Sequence, residues 1–232
     1  MPTQRSRQEH VATLSAMHGD AEPADRGPSD PRSGVDPAVL TKGERTRQRL
    51  LDLAIERFGE QGYRATSVSE IARAAGLTQA TAYAYFESKQ ALFVAALDTD
   101  ASALVAEAGD IADGSPVIEA PLDFLVALFD GVDRHRLARR VLAGEETEVK
   151  VFPELVDLPA VRMATSVLVG KLREGQARGE VRTDIDAELV GAGIEAILLS
   201  ILAAVVQLGD LGTQRAQDGV VAAFRAMLEP PA

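Results

Sequence analysis

The stretch GLTQATAYAYFESK, residues 76–89, decides how the chain folds. The chain has three tyrosines and no tryptophan, yet Tyr83 and Tyr85 stand here one residue apart, just behind Thr78 and Thr81. Gly76 can take the positive φ of a tight turn, and Thr78 can cap a short helix running through Phe86. Upstream, Ser67-Val-Ser-Glu70 has the spacing of a capping box and opens another short helix, SEIARAA, which Gly76 ends. Two short helices joined by Ala-Gly-Leu-Thr, with Ile71, Ala72 and Leu77 between them, predict a helix-turn-helix over residues 67–86.

In that geometry the second helix enters the major groove with its first residues towards base edges. Such a helix needs small or polar side chains at its start, and these are present. Gln79 can pair bidentately with adenine, and Ala80 or the Thr81 methyl can meet a thymine methyl. Tyrosine hydroxyls and Lys89 can hold phosphates, which positions a protein without reading sequence. The helix that begins after Ser88 also offers its N-terminus to an anion. For Tyr83 the alternative is a core ring, disfavoured because Phe86 already serves as the inward aromatic. Tyr85 is left between base, phosphate and simple packing.

Working outward, Thr41-Lys-Gly-Glu44 predicts a first capping box. It opens an amphipathic helix with Leu50, Ala54 and Phe58 four apart, Leu51 and Ile55 beside them, and Gly62 as its stop. Ser88 caps a further helix in which Leu92, Phe93, Ala96 and Leu97 continue the apolar stripe. Arg45 and Arg47 either reach DNA or form a solvated face.

The run from Arg45 through Leu97 resembles the DNA-binding domain of the TetR family of transcriptional regulators. The matching strings are A-x-x-x-F-x-x-x-G-Y (54–63), T-S-V-x-x-I-A-x-A-A-G-L (66–77) and T-x-x-T-x-Y-x-Y-F-x-S-K-x-x-L (78–92). The resemblance implies phosphate contacts from Thr66, Thr78, Tyr83 and Lys89, with bases read mostly from residues 78–81. Ser67, Gln79, Ala80, Thr81 and Tyr85 complete the expected DNA-binding set. Two positions depart from the family pattern: glycine is common where Ala80 stands, and histidine where Tyr85 stands. Both bear on the operator sequence rather than the fold.

What the resemblance implies overall is an all-α protein. A three-helix DNA-binding domain (41–97) precedes a larger helical domain (98–232) that dimerises through its last two helices, near 184–208 and 213–228, and holds a small-molecule pocket. The implied activity is that of a homodimeric repressor on a palindromic operator, released by a small apolar or amphipathic effector. Dimerisation has a separate physical reason. One short recognition helix reads few base pairs, so useful specificity needs two half-sites roughly 34–36 Å apart.

Outside the motif the chain is less explicit. Residues 1–40 mix Pro, Gly, Ser and Asp without an apolar period and are expected to be a disordered extension. Beyond residue 100, helices are expected near 102–111, 121–143, 159–178, 184–208 and 213–228. The segment LVGAGIEAILLSILAAVVQLG (189–209) is nearly long enough to span a bilayer. Glu195 in its middle argues against that; a helix buried on two faces, in a core and in a dimer, is expected instead. Glu195 must then pair, be protonated or face a cavity. Phe124, Phe129 and Met163 join it as candidate pocket walls, with ordinary core packing as their alternative. His135 reads as a surface histidine, and Glu145, Glu146 and Glu148 as a solvated run.

Composition sets the outer bounds. The net charge of −11 splits into −2 over residues 1–41, +2 over 42–97 (8 basic, 6 acidic) and −11 over 98–232. A mildly basic block on an acidic body leaves nucleic acid open as a partner. Without cysteine there is no disulfide framework, zinc finger or thiol chemistry, and the scattered His10, His18 and His135 give no metal set. No cofactor is expected. The polar MPTQRSRQEH start makes a cytoplasmic location the expectation. An enzyme needs convergent nucleophile, base or metal groups, and none stands out. A DNA-binding regulator with a purely dimerising C-terminal domain is the nearer alternative, and a small helical enzyme or carrier the remote one.

Overall fold

The first helix starts at its expected cap. Thr41 Oγ1 accepts from the Glu44 N–H at 3.2 Å while Glu44 Oε2 accepts from the Thr41 N–H at 2.7 Å. A computed structural model describes residues 41–145, 158–208 and 214–230, and among these every regular element is an α-helix. The expected extension over residues 1–40 and the acids Glu146 and Glu148 lie outside the described residues. Helix α1 (Lys42–Ala65) buries Leu50, Leu51, Ala54 and Phe58. Gly62, the expected stop, is a kink at φ 81° and ψ 170°, after which one more turn runs to Ala65. The kink turns Tyr63 back onto the core, with its ring 6.0 Å from that of Phe58 and 5.2 Å from that of Phe93.

Helix α2 (Val68–Ala74) lacks the expected capping box. The Ser67 hydroxyl lies 2.7 Å from that of Ser69 instead of accepting from the first turn. Its C-terminus is tightly closed: the Leu77 N–H reaches back to Ala72 O at 2.8 Å and the Gly76 N–H to Arg73 O at 3.0 Å. This double bond pattern needs a left-handed residue just past the helix, and Gly76 supplies it at φ 73°. The turn therefore leads straight into α3 (Gln79–Tyr85), capped by Thr78.

Helix α4 (Lys89–Asp113), capped by Ser88, is a single 25-residue helix, not the two expected around residues 88–97 and 102–111. No glycine or proline interrupts residues 89–108, so nothing breaks the ladder. Its first half packs in an N-terminal core with α1, α2 and α3, and its second half in a C-terminal core. The 97/98 boundary thus falls inside one rigid rod.

The helix expected over 121–143 is two, α5 (Ala120–Gly131) and α6 (Arg136–Leu142), separated by a turn in which the His135 N–H bonds Val132 O. Helices α7 (Pro159–Arg178), α8 (Ala187–Leu208) and α9 (Gln214–Leu228) match expectation closely. Helix α8 is long and apolar enough, by length and composition, to cross a bilayer. Here one stripe of it, Gly191, Ile194, Leu198, Leu202 and Val205, is buried in the C-terminal core.

Candidate functional site

Helix α3 owes its orientation to two residues. Ala82 and Phe86 are buried in the N-terminal core, leaving Thr78, Gln79, Ala80 and Tyr83 on the outer face. Tyr83 is 40% exposed. At the helix start the Thr78 hydroxyl accepts from the Thr81 N–H at 3.2 Å and lies 2.8 Å from the Thr81 hydroxyl. One pair of hydroxyls is therefore held together next to the exposed Gln79 amide, on a helix whose outer surface carries no bulky aliphatic. Tyr85 is half-buried and packs against the core. Arg47 of α1 stacks over Phe86, 5.0 Å from the ring centre, and ties the first helix to the end of α3.

The expected phosphate contacts divide. Tyr83 and Thr78 face outward. Lys89 sits with its ammonium 4.5 Å from the centre of the Tyr63 ring and donates to Arg64 O at 3.3 Å, so its position at the start of α4 is fixed from two sides. Burial pushes the Tyr63 phenol up, with nearby Tyr83 adding to it, so the ring under Lys89 stays neutral. Thr66 is different: it is buried, and its hydroxyl reaches Gly62 O at 2.8 Å and Arg57 O at 3.2 Å. Its side chain fastens the kink of α1 to the start of α2. Ser67 is half-buried and engaged with Ser69.

A second site lies in the C-terminal half. A cavity of about 240 Å³ is lined by α4 (Leu97, Leu104), α5 (Phe124, Leu128), α6 (Val141, Leu142), α7 (Ala160, Ala164) and α8 (Glu195, Leu198, Leu202). Its described lining is apolar except for Glu195 and Gln207, and the Gln207 amide donates to Leu142 O at 2.9 Å. Burial pushes the Glu195 carboxyl up. Of the four expected pocket residues, Phe124 and Glu195 line this cavity. Phe129 packs against the core outside it, and Met163 lies along a separate open cleft between α4 and α7. Apolar helix positions point either into a cavity or into neighbouring side chains, and sequence periodicity does not separate the two.

The two sites are joined at the middle of α4. Asp98 Oδ1 accepts from the Ala160 N–H at 3.0 Å in the first turn of α7, and Asp100 Oδ2 accepts from the Ala138 N–H at 2.9 Å in the first turn of α6. Two carboxylates in the middle of a rod thus cap two other helices, where negative charge is favoured. His135, expected at the surface, is buried, with Nδ1 2.9 Å from Asp100 Oδ1 and Nε2 3.4 Å from Glu107 Oε1. Helix α6 belongs to both halves. Leu137 and Ala138 pack in the N-terminal core, while Ala138, Val141 and Leu142 line the cavity. At Gly59 of α1 the two helices approach so closely that a Cβ would lie 3.1 Å from Arg136 Cβ and 3.3 Å from Leu137 N. The sequence signal for this junction was the Asp98-Thr99-Asp100 triplet in an otherwise apolar stretch.

Comparison with known proteins fits this layout. The family model for bacterial regulatory proteins of the tetR family matches residues 50–96. The uncharacterized HTH-type transcriptional regulator YdgC of Bacillus subtilis is 30% identical over 164 residues, covering 66% of this chain and 76% of that protein. The HTH-type transcriptional repressor KstR2 of Rhodococcus jostii is 30% identical over 156 residues, with the same coverage. Among solved structures, Salmonella enterica GusR superposes with a TM-score of 0.60 at 21% identity, over 82% of this chain and 98% of that one. RolR in complex with resorcinol gives 0.57 at 20% identity, over 81% and 89%. At these identities the structural likeness is one of fold.

Proposed function

The chain belongs to the tetR family of bacterial regulatory proteins and is a transcriptional regulator, and on that premise we propose that it is a homodimeric repressor released from a palindromic operator by a small molecule. Helix α3 lies in the major groove. Gln79, Ala80 and Thr81 meet base edges, while Thr78, Tyr83 and Lys89 hold phosphates, with Ser67 and Thr66 at the flank as supports for that grip. The apolar cavity takes the effector. The protein works in the cytoplasm, where its DNA is.

The observation that carries this reading is the shared helix. Because α6 lines the cavity and also packs in the N-terminal core, a ligand that moves α6 moves α1 and with it α3. That is a population shift between a dimer whose reading heads fit two half-sites and one whose heads do not. The dimer is supported by the outer face of α8. Leu189, Gly193, Ala196, Ile197, Ser200 and Ala204 recur at helical spacing and are all exposed, with Leu189 at 75% and Ile197 at 47%. Such a contiguous apolar stripe suits a second copy of the same helix. The repressor name of KstR2 and the ligand-bound state of RolR agree with this reading.

The test pairs two titrations. A compound that raises the melting temperature must also release the protein from DNA in a mobility-shift experiment, over the same concentration range. Stabilising compounds that leave the DNA complex intact contradict the proposal and favour a regulator without a ligand.

A further inference from the structure

The cavity's polar groups are unusually one-sided. Its described lining holds one acid, Glu195, one amide, Gln207, and no lysine, arginine or histidine. The Gln207 amide nitrogen donates one of its two N–H groups to Leu142 O and carries no charge, so Glu195 is the one ionisable group of the described lining. Glu195 has no hydrogen-bond or ion-pair partner among the described residues. It stands on the cavity stripe of α8, with Leu198, Leu199 and Leu202 at three, four and seven positions further. An acid in an apolar wall without a cation among the described residues is costly to leave charged, and burial duly pushes its carboxyl up.

We infer that the effector is an apolar molecule carrying one protonated amine, which binds with the amine against Glu195 and its body against the leucines of α4 and α8. This rests on the effector reading above and specifies its chemistry. A cation supplies what the described wall lacks: a charged donor for the Glu195 carboxylate, in a site where a charge-assisted hydrogen bond is strong. An anionic effector, such as a fatty acid, would set two carboxylates together with no cation of the described lining to part them, and one of them would have to take up a proton. A neutral alcohol satisfies the hydrogen bond but leaves the charge unpaired. At about 240 Å³ the cavity is just under the common range of ligand sites, roughly 300–1,000 Å³. That size selects a body of one or two rings or a short alkyl chain.

The test uses three probes with one body: 4-phenylbutylamine, 4-phenylbutanol and 4-phenylbutyrate, titrated calorimetrically into the full-length protein at neutral pH. The amine is expected to bind about tenfold or more tighter than the alcohol, in line with a charge-assisted bond of roughly twice the neutral strength. The carboxylate should bind weakest. Glu195→Gln should erase the amine's advantage while leaving alcohol affinity within about twofold, the alcohol arm also reporting that the cavity is intact. Alcohol or carboxylate binding that equals the amine's overturns the inference, as does an amine advantage that survives Glu195→Gln. So does a Glu195→Gln variant that shifts dimer dissociation in sedimentation but not amine selectivity. In each of those cases a cavity that still binds leaves the effector reading standing. If none of the three probes binds, the inference fails, and a broad thermal-shift screen with no stabilising compound removes the effector reading as well. Should the variant not fold, the ranking of the three probes on the wild-type protein decides.

Discussion

The Asp100 carboxylate of α4 holds two groups of α6 at once: Oδ1 lies 2.9 Å from His135 Nδ1, and Oδ2 accepts from the Ala138 N–H at 2.9 Å. One buried side chain therefore fixes both the residue that starts α6 and the first turn of the helix itself. Removing it strands two buried polar groups. Asp100→Ala should cost about 3 kcal/mol of unfolding free energy, the sum of two unsatisfied groups at ~1–3 kcal/mol each less some relaxation. Urea denaturation checks this, and a loss below about 0.5 kcal/mol contradicts the double role.

The same pair makes stability depend on pH. The hydrogen bond to Asp100 raises the His135 pKa above its ordinary value of about 6.5, burial opposes it, and the Asp100 and Glu107 charges add to the rise. Around the ring stand Asp100 and Glu107 from α4, with Arg134 paired to Glu107 at 2.6 Å on the other side. A raised folded-state pKa means that the protonated form is favoured on folding. That contribution is complete below about pH 6.5 and is lost as pH rises through the higher folded-state value. The urea midpoint should therefore fall between pH 6 and pH 9, and His135→Gln should flatten that slope. An unchanged slope in the variant assigns the pH dependence elsewhere.

On α3, substitutions should sort by role. Gln79→Ala should relax preference at one base pair per half-site, a discrimination of about 1–3 kcal/mol. Lys89→Ala should weaken all sequences alike and reduce the salt slope by about 1 per half-site. Fluorescence anisotropy on operator and mismatched duplexes at several salt concentrations separates the two. A Lys89→Ala variant with an unchanged salt slope would place Lys89 as a structural anchor on Tyr63 and Arg64 alone.

The outer stripe of α8 predicts a dimer that charge should break. Ile197→Glu places a carboxylate near the middle of the stripe and Leu189→Glu one at its N-terminal end, yet both side chains are well exposed in the single chain. The fold should survive, with far-ultraviolet dichroism unchanged, while the dimer dissociation constant rises on the order of a hundredfold. Sedimentation velocity measures it. Dimers that persist in both variants would move the interface elsewhere.

Local features of this fold were legible in the sequence because their causes are local. The Thr41, Thr78 and Ser88 caps, the left-handed Gly76 and the start of α7 at Pro159 each act within four residues. The Ser67 cap failed because a nearer hydroxyl, that of Ser69, competes for it. What stayed illegible was long-range. Asp100 and Asp98 cap helices 38 and 62 residues away, and no periodicity announces such a bond. The same distance hid the burial of His135, whose partners Asp100 and Glu107 are two turns of a different helix. It also hid the turn after Gly131, which those contacts help to hold. The outward placement of Thr78, Gln79, Ala80 and Tyr83 was readable because Ala82 and Phe86 are the apolar residues that α3 can turn inward. The cavity walls were only half readable, since Phe124 and Phe129 look alike until their neighbours are placed.

The central claim is that α3 reads DNA, and one titration tests it most directly. Fluorescence anisotropy of the protein against duplex DNA from upstream of its own gene, beside a scrambled duplex of equal length, should show specific binding that saturates at two chains per site. Binding should weaken steeply with salt, and Thr81→Ala combined with Tyr83→Ala should abolish the preference for the upstream duplex. Equal affinity for both duplexes, or a preference untouched by the double substitution, would contradict the account.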